Sequence, residues 1–307
     1  MKKTFEKTQS SCEQTAVALG FFDGIHLGHK VVIKTMLNCA DENSLKPAVY
    51  TFKENPTASF GIQTPYLTTN EERYNIMKEM GVQIIFEDDF SSIKDLSPED
   101  FVKEVLVKRF NARYVFCGFN YHFGKGGVAD SDVLKVICSK YNIGVRVVHP
   151  VIIGGSPVSS TRIRNLLKDG KIEEANRLLD HRFGYHSIIE EGNHIGRMLE
   201  TPTINQPLPK GMLLPKYGVY TSIVSVNGES YAGVTNIGVK PTVGEYEPLS
   251  ETWLSNYSGG DLYGLDIDVR LLFFHREEKR FDNLDELKRA IKADGEIAVE
   301  NIRKLKA

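Results

Sequence analysis

The chain has 307 residues, 41% hydrophobic and 25% charged, which suits about two globular domains of roughly 100–200 residues each and excludes extended disorder. Its formal net charge of −2 gives no global attraction to nucleic acid, while a local basic patch for phosphates stays open. No stretch reaches the roughly 18 apolar residues of a membrane-spanning helix, so neither nucleic acid nor a membrane is an expected partner.

The opening MKKTFEKTQSSCEQTAVALG starts basic but has no continuous apolar stretch before its polar SSCEQT, so a secretory signal is not expected. TAVALGFFDG is a short apolar run ending in a turn, followed by the amphipathic KVVIKTMLNCADEN. PAVYTF predicts a second strand, NEERYNIMKEMG a helix closed by Gly81, and VQIIFE a third strand. SPEDFVKEVLVKRF predicts a helix with Ser97 as N-cap and Pro98 at its first position, and YVFCGF and VRVVHP complete the strands. This β-α-β rhythm predicts a doubly wound parallel α/β domain that binds ligands at the carboxyl ends of its strands.

VSSTRIRNLLKDGKIEEANRLLD then predicts two short helices broken at Gly170 and ending near His181. From Tyr185 the texture becomes short strands divided by Gly, Pro and Asn: YHSIIEEG, GVYTSIVSV, ESYAGVTNIG, ETWLSN and LDIDVRLLFF. They predict an antiparallel β-barrel or sandwich, closed by a terminal helix, NLDELKRAIKAD, capped by Asp282 or Asn283. The break near Asp180–His186 divides the chain into 1–182 and 183–307, and no internal repeat links the halves. Cys12, Cys39, Cys117 and Cys138 stand apart without a CxxC pair, as free thiols of a reducing, cytoplasmic compartment would. Nothing in the sequence specifies an oligomeric state.

The densest signal is Gly20-Phe21-Phe22-Asp23-Gly24-Ile25-His26-Leu27-Gly28-His29, where a strand ends and a helix begins. Backbone N–H groups at a helix start favour phosphate, and His26 and His29, three apart, can share a face beside them. Two imidazoles there can donate to ATP phosphates as pyrophosphate leaves, and Gly24 and Gly28 allow close backbone approach. A zinc site would need a third ligand, and none stands nearby at suitable spacing. A Walker loop fails, because five residues separate Gly118 from Gly124-Lys125 and Gly126 stands where Ser or Thr is required. Ser159-Ser160-Thr161-Arg162-Ile163-Arg164 sets hydroxyls and two arginines at a helix start, a second arrangement suited to phosphate and otherwise an ordinary N-cap.

GFFDGIHLGH resembles the HxGH signature of the nucleotidylyltransferase superfamily, in the form found in prokaryotic bifunctional FAD synthetases. The likeness extends through Thr51-Phe52-Lys53-Glu54-Asn55-Pro56, Leu67-Thr68 with Glu71-Glu72-Arg73, Gly118-Phe119-Asn120-Tyr121-His122-Phe123-Gly124-Lys125 and the STRIR segment. It implies an FMN adenylyltransferase, in which the FMN phosphate displaces pyrophosphate from ATP, with Asn120 at the nucleotide and flavin site. The loop after Lys125 departs from the family, with Gly126-Gly127-Val128 where a further basic residue is usual.

Pro202-Thr203-Ile204-Asn205 reads by itself as a turn, yet it resembles the PTAN motif of riboflavin kinases and follows Gly192 and Gly196-Arg197 in a glycine-containing loop. The resemblance implies Thr203 and Asn205 as oxygen ligands of Mg²⁺ and Glu251 as the base for the ribityl hydroxyl. Asp261-Leu262-Tyr263-Gly264, Val269-Arg270 and the closing helix extend the likeness to Asp294. Glu200-Thr201 stand where the family has Gly-Phe or Gly-Tyr, and Ile204 replaces a small Ala. The implied function is ATP-dependent conversion of riboflavin to FMN and of FMN to FAD. Competing readings are a monofunctional adenylyltransferase with a flavin-binding barrel, a flavin-sensing regulator that binds nucleic acid, and an aminoacyl-tRNA synthetase core. The presence of Thr203, Asn205 and Glu251 together opposes the first. The acidic balance opposes the other two.

Overall fold

The apolar run TAVAL is the strand β1 (Thr15–Leu19), every residue of it buried. The computed structural model describes residues 13–190, 203–241, 246–255, 257–279 and 281–306. Packing divides the chain into two compact units between Ser159 and Ser160. The first unit continues through α1 (Leu27–Glu42), β2 (Lys46–Phe52), α2 (Asn70–Glu79), β3 (Ile84–Asp88), α3 (Phe90–Ile93), α4 (Pro98–Phe101), β4 (Ala112–Gly118), α5 (Ser131–Ser139) and β5 (Gly144–Val148), and ends in a two-stranded turn, β6 (Ile152–Ile153) with β7 (Ser156–Pro157). Its five-stranded sheet has the order β3-β2-β1-β4-β5, parallel throughout.

Side chains alternate across β1, so Val17 and Leu19 join Tyr50, Phe86 and Phe101 on one face while Ala16 and Ala18 meet Ile33, Met36 and Met77 on the other. Both faces are covered, as a parallel sheet requires. The chain runs outward from β1 through β2 and β3, then returns to add β4 on the other side. The resulting switch point between β1 and β4 is where such sheets open a ligand crevice. GFFDGIHLGH leaves the carboxyl end of β1, and GFNYHFGK that of β4.

Local chemistry sets the helix ends. Thr69 Oγ1 accepts from the Glu72 N–H at 3.2 Å to start α2, which gives way to Gly81 at φ 106°. Ser97 caps α4 as expected, accepting from the Asp100 N–H at 3.0 Å. The single helix read through SPEDFVKEVLVKRF needs correction, however, because after Phe101 it widens into a π-helix over Val102–Arg109. Val102, Val105 and Leu106 stay buried, and their spacing serves either winding, so the pattern could not tell the two apart.

The second unit begins with α6 (Ser160–Lys168) and α7 (Ile172–Leu179), followed by the strands β8 (Gly184–Ile188), β9 (Thr203–Pro207), β10 (Gly218–Val226), β11 (Glu229–Pro241), β12 (Tyr246–Leu254) and β13 (Asp266–Arg276), and by α8 (Leu284–Lys306). The packing division lies upstream of the 182/183 break in sequence texture, for a specific reason. Asn176 on α7 donates to Leu271 O at 2.8 Å and accepts from the Phe183 N–H at 2.7 Å, and Lys216 N–H bonds Leu167 O at 2.9 Å. These bonds tie both helices to the strands that follow them.

The antiparallel order is β8-β13-β10-β11-β12-β9. The outer strands approach each other through Glu190 N–H to Asn205 O at 2.9 Å and Ser187 Oγ to Pro207 O at 2.7 Å, so the sheet is nearly closed. β9, which the turn-like PTIN does not announce, is thus a closing strand. The interior carries a polar seam: Tyr185, Ser250, Thr252, Thr235 and Ser222 join their hydroxyls in one buried chain. α8 covers the outer face, its Ala298 packing with Val219, Val234 and Trp253. Asn283 caps it as expected, accepting from the Glu286 N–H at 2.9 Å. The helix runs well beyond Asp294, since Gly295 does not end it but lies against Trp253. A Cβ at that position would stand 2.1 Å from the indole Cζ3.

Gly295→Ala should therefore lower stability by about 1–3 kcal/mol through overpacking. Trp253 is the only tryptophan, so its emission should change in the folded state together with a fall in melting temperature. Unchanged emission and melting would remove this account of the helix contact.

Candidate active sites

After β1 the backbone enters a turn that costs energy. Gly20 N–H still pairs with Tyr50 O at 3.2 Å, but Phe22, Gly24 and Ile25 then adopt φ of 58°, 79° and 36°. For Phe and Ile this region is strained and persists only when neighbours fix it. The buried Asp23 carboxylate accepts from the Leu67 and Thr68 N–H groups at 2.9 and 3.4 Å, and Gly24 N–H donates to Thr68 Oγ1 at 3.2 Å. The strand-to-helix turn before α2 thereby grips the turn after β1.

The result is a pair of imidazoles at the start of α1. His26 is the N-cap, and its Nδ1 accepts from the His29 N–H at 3.3 Å, which leaves Nε2 to carry the proton of the neutral ring. The two rings stack with centroids 3.6 Å apart, and Phe22 meets His29 edge-on at 5.3 Å. Gly28 is needed between them, since a Cβ there would press on His26 Cε1 at 3.1 Å. The first turn of α1 has no acidic residue, so nothing on it opposes an anion at the helix start.

Asn120 sits exposed on the loop after β4, its carbonyl 3.1 Å from His122 Nδ1. Gly118 lies beneath it, a Cβ there reaching 3.3 Å from Asn120 Oδ1. Lys125 pairs with Asp95 at 3.4 Å. Ser159 ends the first unit, whereas Ser160, Thr161 and the half-buried Arg162 open α6 in the second.

In the second unit, register does the assembling. Asn205, Glu251 and Asn236 stand directly opposite one another on β9, β12 and β11, and Thr203, Trp253 and Val234 form the neighbouring row. Opposed residues share a face. Thr203, Glu251, Asn236 and Trp253 line a groove beneath α8, together with Arg276, Phe281 and Asp294. Ile204 points the other way by strand alternation and is buried, so its departure from a small residue falls in the barrel interior. Gly192, Gly196 and Arg197, like Glu200 and Thr201, lie outside the described residues.

Three groove residues escaped the sequence reading. Asn236 donates to Glu278 Oε1 at 3.1 Å, and Arg276 Nη2 donates to Asp294 Oδ2 at 2.7 Å. Asp294 had a usable signal, because it falls on the stripe of Leu287, Ile291 and Ala298, where a charge needs a partner. Burial works against its ionisation, but the His275 imidazole and Arg276 guanidinium outweigh burial and hold its carboxyl below the usual range.

Residues 8–162 match the family model described as FAD synthetase, and residues 179–302 match that described as riboflavin kinase. Proteins named Bifunctional riboflavin kinase/FMN adenylyltransferase are similar over nearly the whole length. That of Listeria monocytogenes is 33% identical, covering 88% of this chain and 87% of its own; that of Bacillus subtilis is 31% identical, covering 95% and 94%. A crystal structure described as a macrolide-efflux protein from Streptococcus pneumoniae superposes with a TM-score of 0.88 at 29% identity, covering 95% of this chain and 96% of that one. Among the described residues no helix is long and apolar enough to cross a membrane. The chain belongs to the FAD synthetase family, whose parallel nucleotidyl-transfer unit precedes a kinase barrel. Within it this is a bifunctional riboflavin kinase and FMN adenylyltransferase, using ATP first to make FMN and then to make FAD.

The Asp294 carboxylate stabilises the fold at neutral pH, and that contribution is lost as pH falls through its depressed folded pKa. Asp294→Asn should therefore melt earlier than the parent at neutral pH and converge with it in acid. Melting curves that stay a constant distance apart down to acid would contradict the assignment.

Proposed function

We propose that each activity is carried out by the residues on its own motif, with a functional partition at 1–182 and 183–307. The stacked His26–His29 pair at the start of α1 is the observation that most supports this. In adenylyl transfer the FMN phosphate attacks the α-phosphorus of ATP and pyrophosphate leaves, with no covalent enzyme intermediate. His26 and His29 donate to the phosphates, and the α1 N–H groups receive their charge. Gly20, Phe22, Asp23, Gly24 and Gly28 shape the turn, Asn120 contacts nucleotide and flavin, and Ser159, Ser160, Thr161 and Arg162 form a second phosphate clamp. Positioning and electrostatics supply most of the rate.

In riboflavin phosphorylation Glu251 accepts the ribityl hydroxyl proton as that oxygen attacks the γ-phosphorus of ATP. Gly192, Gly196 and Arg197 contribute to ATP and flavin binding in this half. Thr203 and Asn205 offer neutral oxygens two apart on β9, next to the Glu251 carboxylate, and an all-oxygen set of this kind suits Mg²⁺. Magnesium bound there would neutralise phosphate charge. The partners are small molecules, ATP, riboflavin and FMN, rather than nucleic acid or membrane. A cytoplasmic setting fits Cys39, Cys117 and Cys138, which are free and buried. Burial raises the thiol pKa values of Cys117 to about 11 and Cys138 to about 12.

The test is riboflavin plus MgATP with FMN and FAD separated over time. His29→Ala should cut FAD formation by about 10²–10³ and spare FMN formation. Arg162→Lys, lacking the planar fork, should impair the same step. Equal loss of both activities in a folded protein would refute the partition.

Glu251→Gln should slow riboflavin phosphorylation by about 10²–10⁴, with flavin binding kept and supplied FMN still converted to FAD. Thr203→Ala and Asn205→Ala should raise the Mg²⁺ requirement of the kinase step alone. Wild-type FMN formation by Glu251→Gln would require another base.

A further inference from the structure

Arg73 is 1% exposed, the largest of the fully buried side chains among the described residues. Its ion pair with Glu87 is long, Oε1 standing 3.9 Å from Nη2. It donates instead to two main-chain carbonyls, Phe21 O at 2.8 Å and Phe52 O at 2.7 Å, with Asn70 Oδ1 at 3.0 Å as a further acceptor. It also lies over the Phe21 ring at 4.5 Å. Burial lowers its pKa to about 10, against the favourable charges of Asp23 and Glu87, so it remains a cation at neutral pH. Filling space would not need this charge, since an apolar side chain of similar volume often stabilises a buried site as well or better.

The two carbonyls belong to the segments that leave β1 and β2. Phe21 O is held twice, by Arg73 and by Thr51 Oγ1 at 3.1 Å, so the peptide entering the strained Phe22 is fixed in direction. Phe22 in turn sets its ring against His29. We infer that Arg73 is a positioning residue for adenylyl transfer, clamping the carbonyls at the ends of β1 and β2 so that the turn presents His26 and His29 correctly. This rests on the reading of the histidine pair as the phosphate site.

Arg73→Lys keeps the charge but loses the fork that reaches two carbonyls at once. The expected result is a fall of about 10²-fold in kcat for FMN to FAD, as small displacements of reacting groups produce, with a smaller change in KM for ATP. Riboflavin phosphorylation by the same protein should be unchanged. In Arg73→Ala, added methylguanidine should restore part of the lost kcat, which a purely structural role would not predict. Wild-type FAD formation in a folded Arg73→Lys, or parallel loss of both activities, would overturn the inference. If Arg73→Lys fails to fold, Asn70→Ala, which removes one acceptor and leaves the cation in place, must slow FAD formation alone, and unchanged rates there would equally overturn it. His29→Ala measured alongside separates the two levels. A silent His29 variant defeats the phosphate-site reading, whereas a dead His29 variant beside a normal Arg73→Lys defeats this inference only.

Discussion

Asp23 holds the turn after β1 in place. Its carboxylate, buried where charge is costly, is satisfied by two backbone N–H groups of the turn before α2. That bond ties two stretches more than 40 residues apart in sequence. Together with the Arg73 and Thr51 bonds to Phe21 O it opposes relaxation of the left-handed backbone at Phe22 and Ile25. The sheet order matters for the same reason. Because β4 lies beside β1, the turn sits at the switch point of the strand order, where such sheets bind ligands.

The second unit solves a different problem. Its polar row comes from strand register, with Asn205, Glu251 and Asn236 set abreast by hydrogen-bonded pairing. A one-residue slip of β9 would turn both Thr203 and Asn205 to the other face. Register is pinned by the bonds that bring β8 and β9 together and by α8, whose Gly295 fits against Trp253. The helices α6 and α7 belong to this packing although α6 itself carries the STRIR segment, 160–164, so the packing division falls upstream of the 182/183 break read from the sequence.

Much of this was legible beforehand. Apolar runs with β-α alternation specified the parallel sheet, and the spacing of His26 and His29 around Gly28 specified neighbouring imidazoles at a helix start, because both follow from local periodicity. The strand β9 was not, since Pro and Asn favour turns and it is pairing with β12 that makes Thr203–Pro207 extended. The π-winding after Phe101 was also hidden, because the same buried spacing serves either winding, and so was the continuation of α8 past Gly295, which depends on the distant Trp253. Arg73 and Asp294 carried a fainter signal, a charge on the apolar stripe of a helix. Their partners, Phe21 O, Phe52 O and Arg276, come from other elements and have no mark in the local sequence.

The hydroxyl chain inside the barrel has a consequence for how this sequence can change. Dispersion tolerates exchange among apolar residues of similar volume, but a directional chain does not. Removing one hydroxyl among Tyr185, Ser250, Thr252, Thr235 and Ser222 leaves neighbours short of a partner in a site that water does not reach, at about 1–3 kcal/mol. Losing two adjacent members should cost less than the sum of the two losses, because the second change removes a group already stranded by the first. The barrel interior is therefore a linked set, in which viable routes to another core pass through paired substitutions rather than single ones.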